Sequence, residues 1–156
     1  MEIYIASSWK NQHAVEMLTD ALRAMGHKVL SFVENNNGEK PGAKTLNGKP
    51  VDVDTWVRSE EGERSFWYDT EGATKSDLTV YVGPSGKDAA AEVGAAWASK
   101  RPIYGLYAKG EDFGLMRRMM DLWFHNYRDL LEAVHRLDVA RRREKRARRK
   151  PSLRKV

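Results

Sequence analysis

The chain has 156 residues, 41% of them hydrophobic and 31% charged, with no Cys and a formal net charge of +5. That length fits one globular domain, and the composition excludes a chain disordered throughout. Without Cys, disulfide scaffolds, thiolate-ligated metals and thiol catalysis are excluded, and no apolar run is long enough for a spanning helix.

The first strand is expected at Glu2–Ala6, where apolar residues alternate. It leads directly into polar Ser7–Gln12, so no secretory leader is expected, and a cytoplasmic setting is the default. Val15, Leu18, Leu22 and Met25 recur at helical spacing, and Gly26 stands where a helix stops. Lys28–Val33 reads as a second strand, which completes a β–loop–α–β unit.

Residues 34–50 are rich in Asn, Gly, Lys and Pro and read as a long surface loop. Residues 51–75 are ambiguous: Asp52 or Asp54 caps a helix containing Trp56 and Val57, and Phe66, Trp67 and Tyr68 call for burial. Asp77–Gly83 is the clearest strand, followed by the turn Pro84–Lys87 and an Ala-rich helix over Asp88–Ser99. A strand at Arg101–Tyr107, a short helix at Leu115–Met120 and a last short strand at Leu122–Asn126 follow. From Tyr127 a helix presents Leu130, Leu131, Val134 and Leu137 on one face, which ends near Val139. Beyond it no apolar stripe remains to bury, and the chain is expected to fray into disorder.

The net charge conceals two different objects. From Arg136 to Val156 there are eleven Lys and Arg against two acids, a net of +9, which leaves residues 1–135 at −4. Residues 1–138 therefore read as one mildly acidic domain and residues 139–156 as a basic tail, with Arg141–Lys150 a possible nucleic-acid contact. The four histidines share no metal-ligand spacing, no metal or cofactor is expected, and Gly86-Lys87 lacks the pattern of a P-loop.

Strands alternating with helices predict a doubly wound, Rossmann- or flavodoxin-like α/β domain with a parallel five-stranded sheet and flanking helices. In such sheets ligands sit beyond the carboxyl ends of the strands, where the winding reverses. If the strands EIYIA and DLTVYVG are neighbours, the loops Ser7–Asn11 and Pro84–Asp88 face one crevice. The segment Gly83–Gly94 carries the most information. Its small residues let backbone amides turn toward a ligand, Ser85 adds a hydroxyl, and Asp88 is a candidate N-cap. Glu92 follows one turn on, among alanines and glycine. It either complements the helix dipole or offers a closely approachable carboxylate.

Ile3 to Trp9 (IYIASSW), Asp69, Ser76-Asp77 opening a strand, Pro84-Ser85-Gly86, Ala91-Glu92-Val93-Gly94 and Lys100-Arg101-Pro102-Ile103 stand in an order that resembles the nucleoside 2-deoxyribosyltransferase family. The resemblance covers most of residues 2–135. It implies an N-glycosidic bond enzyme acting on a nucleoside or nucleotide, without a cofactor, and a homodimer or larger homo-oligomer. By the same resemblance Glu92 is the nucleophile, Tyr4 hydrogen-bonds its carboxylate, and Asp69 contacts the base and assists proton transfer. Ser7, Ser8 and Trp9 line the pocket, and Ser85 and Gly86, with Asp88 beside them, hold the sugar or phosphate end. Two positions depart from the transferases, which commonly carry Asp six residues before the nucleophile, here Gly86, and Asn before a Leu-Met pair, here Gly114. Transfer to a second base and hydrolysis both remain open, as does NAD-type glycohydrolysis. So does a ligand-sensing module without turnover, docked to nucleic acid by its tail.

The carboxylate suits this chemistry because C1′–N cleavage passes through an oxocarbenium-like state. An anion on the opposite sugar face stabilises that state or captures it covalently.

Overall fold

The computed structural model describes residues 1–35, 45–47, 49–111 and 114–149. The chain opens with β1 (Glu2–Ala6), followed by α1 (Gln12–Ala24) and β2 (Lys28–Ser31). After it come the short α2 (Phe32–Asn35), the two-residue strands β3 (Thr45–Leu46) and β4 (Lys49–Pro50), α3 (Val53–Val57) and α4 (Glu60–Lys75). The second half runs β5 (Leu78–Val82), α5 (Lys87–Ala98), β6 (Ile103–Leu106), β7 (Leu122–Phe124) and α6 (Tyr127–Arg149). Five strands form one sheet in the order β2-β1-β5-β6-β7, with every neighbouring pair parallel. This is the expected Rossmann/flavodoxin-like α/β fold. Most of the 34–50 loop lies outside the described residues, and β3 and β4 pair antiparallel within it.

Burial on both sides explains why β1 reads as an almost continuous apolar run. Ile3 and Ile5 join Val15, Leu18 and Leu22 of α1 and Leu130 and Val134 of α6 on one side. Tyr4 and Ala6 join Ala73 of α4 and Ala89, Val93 and Ala96 of α5 on the other. The winding therefore reverses between β1, which feeds α1, and β5, which feeds α5. Gly26 closes α1 at φ +85°, a left-handed conformation that costs glycine little, and its amide donates to the Arg23 carbonyl at 2.8 Å.

Several boundaries differ from the sequence expectation. The second strand stops at Ser31, the last residue opposite β1, and Phe32 and Val33 turn into α2 as buried residues. The ambiguous region resolves into two capped helices. Asp52 accepts from the Thr55 amide at 2.9 Å to cap α3, and Ser59 accepts from the Gly62 amide at 3.1 Å to cap α4. Glu60, Glu61 and Glu63 then complement the dipole of α4. Phe66 and Trp67 are exposed, stacked edge to face at 5.4 Å rather than buried, and Tyr68 alone of the three aromatics turns inward, its phenol donating to the Ser31 carbonyl at 3.3 Å. Gly86, not Asp88, caps α5, and no side chain satisfies that N-terminus.

The basic stretch also departs from expectation. Residues 139–149, expected to fray, continue α6. Two forces replace the missing apolar stripe. Glu144 pairs with Arg148 and Asp138 with Arg142 one turn apart. Arg141 reaches back to the sheet, donating to the Asp77 carbonyl at 2.8 Å and to its carboxylate at 2.6 Å. Residues 150–156 lie outside the described residues, and among the described residues no helix is long and apolar enough to cross a membrane.

Asp77 also accepts from the Glu2 amide at 2.9 Å, so one carboxylate ties β1, β5 and α6 together. Asp77→Ala is expected to destabilise the fold by roughly 1–3 kcal/mol in urea unfolding, since it strands an amide and a guanidinium. A loss confined to the last turns of α6, with the midpoint unchanged, would contradict this account.

Candidate active site

Tyr4 is fully buried in the middle of β1 and faces α4 and α5. Space for its ring comes from α4, where a Cβ on Gly72 would stand 2.4 Å from Tyr4 Cδ2. The phenol donates to Asp69 Oδ1 at 3.1 Å, and Asp69 lies one turn before Gly72 on α4. Glu92 on α5 comes within hydrogen-bonding reach of the same phenol from the other side. Three residues separated by up to 88 positions thus share one phenolic proton.

Their titration follows from burial and mutual repulsion. Burial first, then Asp69 and Asp88, pushes the Glu92 carboxyl up to about 8, against the opposing Tyr4 hydrogen bond. Burial likewise pushes Asp69 up to about 6, with Asp88 adding and the Tyr4 hydrogen bond opposing. Tyr4 itself is driven far above the ordinary phenol range by burial and by the two carboxylates. Between pH 6 and 8 the pair holds one proton, a carboxylic acid and a carboxylate on either side of a neutral phenol. Glu92 Oε2 and Ser8 Oγ are both buried with no hydrogen-bond partner among the described residues.

The first loop is locked to the end of β5. Ser7 Oγ donates to the Val82 carbonyl at 2.6 Å, and Asn11 Nδ2 reaches Ser7 Oγ at 3.0 Å and the Pro84 carbonyl at 2.8 Å. Ser7 therefore holds the crevice wall, and Ser8 follows it at the carboxyl end of β1. Trp9 turns to the opposite core, edge-on to Phe32 at 5.1 Å. Ser85 lies within hydrogen-bonding reach of the Tyr81 phenol, while Gly86 and Asp88 are exposed in the first turn of α5.

Tyr4, Asp69 and Glu92 are thus together, and Ser7, Ser8, Ser85, Gly86 and Asp88 border the same sheet edge. Sequence reading missed Asn11, Gly72, Tyr81 and Glu111, whose carboxylate accepts from the Tyr81 phenol. Only Asn11, in the polar turn after β1, left any local signal. Two surface clefts, of about 270 and 710 Å³, lie beside Glu16 and Asp20 and beside Trp97 and Arg101, and neither is lined by Tyr4, Asp69 or Glu92. Among the described residues no group of His, Asp and Glu converges in a metal-binding arrangement.

No protein-family model and no curated protein matches the sequence. Solved structures do. A 2-deoxyribosyltransferase from the psychrotolerant bacterium Bacillus psychrosaccharolyticus aligns with TM-score 0.60 and 21% identity, over 84% of this chain and 90% of its own. The Clostridium botulinum CMP N-glycosidase BcmB aligns with TM-score 0.54 and 13% identity, over 86% and 99%. A conserved protein from Enterococcus faecalis aligns with TM-score 0.58 and 17% identity, over 87% and 98%. At these identities the likeness establishes a shared fold across nearly the whole of each neighbour.

Glu92 and Asp69 both have raised folded values, so the folded chain holds protons that the unfolded chain releases. Their stabilising contribution is complete below the unfolded carboxyl range and is lost as pH rises through about 6 for Asp69 and about 8 for Glu92. Glu92→Gln removes the larger share. It is expected to melt roughly 5 °C or more above wild type at pH 9, with the gap shrinking toward pH 5. A pH-independent gap would count against a buried, protonated Glu92.

Proposed function

We propose that this chain breaks N-glycosidic bonds of nucleosides or nucleotides, with Glu92 as the nucleophile. One observation carries the reading: Tyr4, Asp69 and Glu92 meet at the reversal point of the sheet, with one Glu92 oxygen buried and unpartnered. Two of the fold neighbours support it, being named as a deoxyribosyltransferase and a CMP N-glycosidase.

The resting pair holds its proton on Glu92, the carboxyl raised further, and in the reacting form that proton has passed to Asp69, which leaves Glu92 as the carboxylate. Glu92 attacks C1′ as the C1′–N bond breaks, forming a glycosyl ester, and Asp69 delivers its proton to the departing base nitrogen. Tyr4 donates to whichever carboxylate is charged, so its hydrogen bond follows the negative charge while the ring stays in place. Water or a second base then attacks C1′, releases Glu92 and gives its proton to Asp69. Hydrolysis results in the first case and transfer in the second.

The same reading brings two proposals about partners. The chain forms a homo-oligomer, and the exposed Trp97, Leu115, Leu122 and Trp123 offer apolar surface for it. The basic end of α6 contacts nucleic acid, a binding mode that weakens steeply with salt. Light scattering and salt-dependent gel shifts test these in turn.

Base release is tested by chromatography on a panel of nucleosides, nucleotides and NAD. Glu92→Ala is expected to lose roughly 10³-fold or more in kcat/KM with its fold intact. Equal rates in variant and wild type would remove Glu92 from the chemistry. The pH profile of kcat/KM is expected to be bell-shaped with limbs near 6 and 8, because one proton on the pair is required. A profile flat from pH 5 to 9 would overturn the shared-proton mechanism.

A further inference from the structure

The two edges of the sheet differ in charge. Asp69, Glu92 and Asp88 stand at the carboxyl edge. At the amino edge, where β6 and β7 begin, lies the cleft of about 710 Å³, whose charged walls are Lys100, Arg101 and Arg118 against Asp121. Three cations against one acid is a local excess in a body, residues 1–135, that carries a net −4. Asp121 is already occupied by the Ile103 amide at 2.8 Å, and Arg101 is fixed by its Nε on the Thr74 carbonyl at 2.8 Å. The five residues of β5, about 16 Å of strand, separate this edge from the crevice of Glu92.

The cleft is marked by an aromatic ring and by its backbone as well. Trp97, in the last turn of α5, is 56% exposed and forms one wall. Lys100 leaves that helix at φ 56°, a left-handed conformation in which glycine is the ordinary residue. The amides of Lys100 and Arg101 donate to the Trp97 and Ala96 carbonyls, both at 2.9 Å, so backbone closes the helix end and keeps indole and ammonium on one turn. A lysine kept where glycine costs less points to use of its side chain.

Leu137 of α6 forms another wall. Arg141, Lys145 and Arg148 follow it on the same helix face, with one acid, Glu144, among them, and the helix rises about 16 Å from Leu137 to Arg148. The cationic surface therefore runs out of the cleft and onward, which suits a polyanion better than a single small ligand. A recess does not fit a flat bilayer, and an exposed indole beside cations fits a base with its phosphates. In a duplex both faces of each base are already stacked, so the indole favours an unpaired strand.

We propose that the amino-edge cleft binds single-stranded nucleic acid, one base stacking on Trp97 and the neighbouring phosphates lying on Lys100, Arg118 and the basic face of α6. This rests on the nucleic-acid reading of α6 and adds the form of the strand and the place of the base.

Fluorescence anisotropy of the full chain is measured with labelled single-stranded DNA and RNA of about 12 nucleotides, beside duplex DNA of the same sequence. Single strands of one kind or both are expected to bind about tenfold or more tightly than the duplex, and the two arms name the source. Trp97→Ala is expected to weaken single-strand binding about tenfold and leave duplex binding within about twofold, and Trp97→Phe to recover most of the loss. Lys100→Ala is expected to reduce the slope of log affinity against log salt by about 0.7, the share of one phosphate contact. If Trp97→Ala does not fold, the strand preference and the Lys100→Ala slope decide. Duplex binding equal to or tighter than single-strand binding, or tighter binding to phosphatidylserine vesicles than to any oligonucleotide, overturns the proposal. So does a Trp97→Ala protein whose mass by light scattering differs from wild type, since the indole then belongs to a contact between copies. Single-strand binding indifferent to both substitutions but weakened by Lys145→Glu overturns the cleft and leaves the reading of α6 standing. Binding of no oligonucleotide overturns both.

Discussion

A single buried phenol between two carboxyl groups is the constraint around which this molecule is arranged. Tyr4 sits where water is excluded, so each carboxyl beside it finds its ionised form costly and its neighbour's charge repulsive. The hydrogen bond from Tyr4 offsets part of that cost, and retention of one proton offsets more. The arrangement is expensive for folding and useful for chemistry, because an acid and a base are held side by side at neutral pH. It exists only because three elements converge: β1 supplies the phenol, α4 supplies Asp69 and the gap at Gly72, and α5 supplies Glu92.

The surrounding structure serves that convergence. Ala89 and Ala96 let α5 lie close to the sheet, which carries Glu92 inward to Tyr4. Ser7 and Asn11 fasten the first loop to the end of β5, so the two loops at the reversal point are tied to each other. At the outer edge Tyr81 and Glu111 repeat the phenol–carboxylate pairing where water has access. The phenols of the two pairs lie on one face of adjacent strands.

The basic helix obeys a different economy. Its last turns bury nothing apolar and persist through ion pairs one turn apart and through Arg141 on Asp77. The acidic body and the cationic helix thus meet at the partly shielded pair of Arg141 and Asp77. The cations Arg143, Lys145 and Arg146 are exposed along the helix beyond that anchor.

Amphipathic spacing exposed most of the fold to inspection. The alternation in EIYIA, the period of Val15, Leu18 and Leu22, and the run LTVYV each record a buried surface, and burial is written in local composition. Phe66 and Trp67 misled for the same reason, since aromatic content signals burial and theirs is mutual stacking at the surface. The extended α6 misled because charge pairing between turns leaves no apolar period to read.

Local sequence thus determined the strands, the main helices and the residue types available for chemistry, because propensity, capping and hydrophobic period act over a few neighbours. Tertiary structure alone decided that the phenol of Tyr4 lies between Asp69 and Glu92, that Trp9 faces the other core, and that Glu111 rests on Gly83. Each of these depends on which strands are neighbours and in what register, and on how closely a helix can approach a sheet. Those distances are set across tens of residues and leave no mark on the residues beside them.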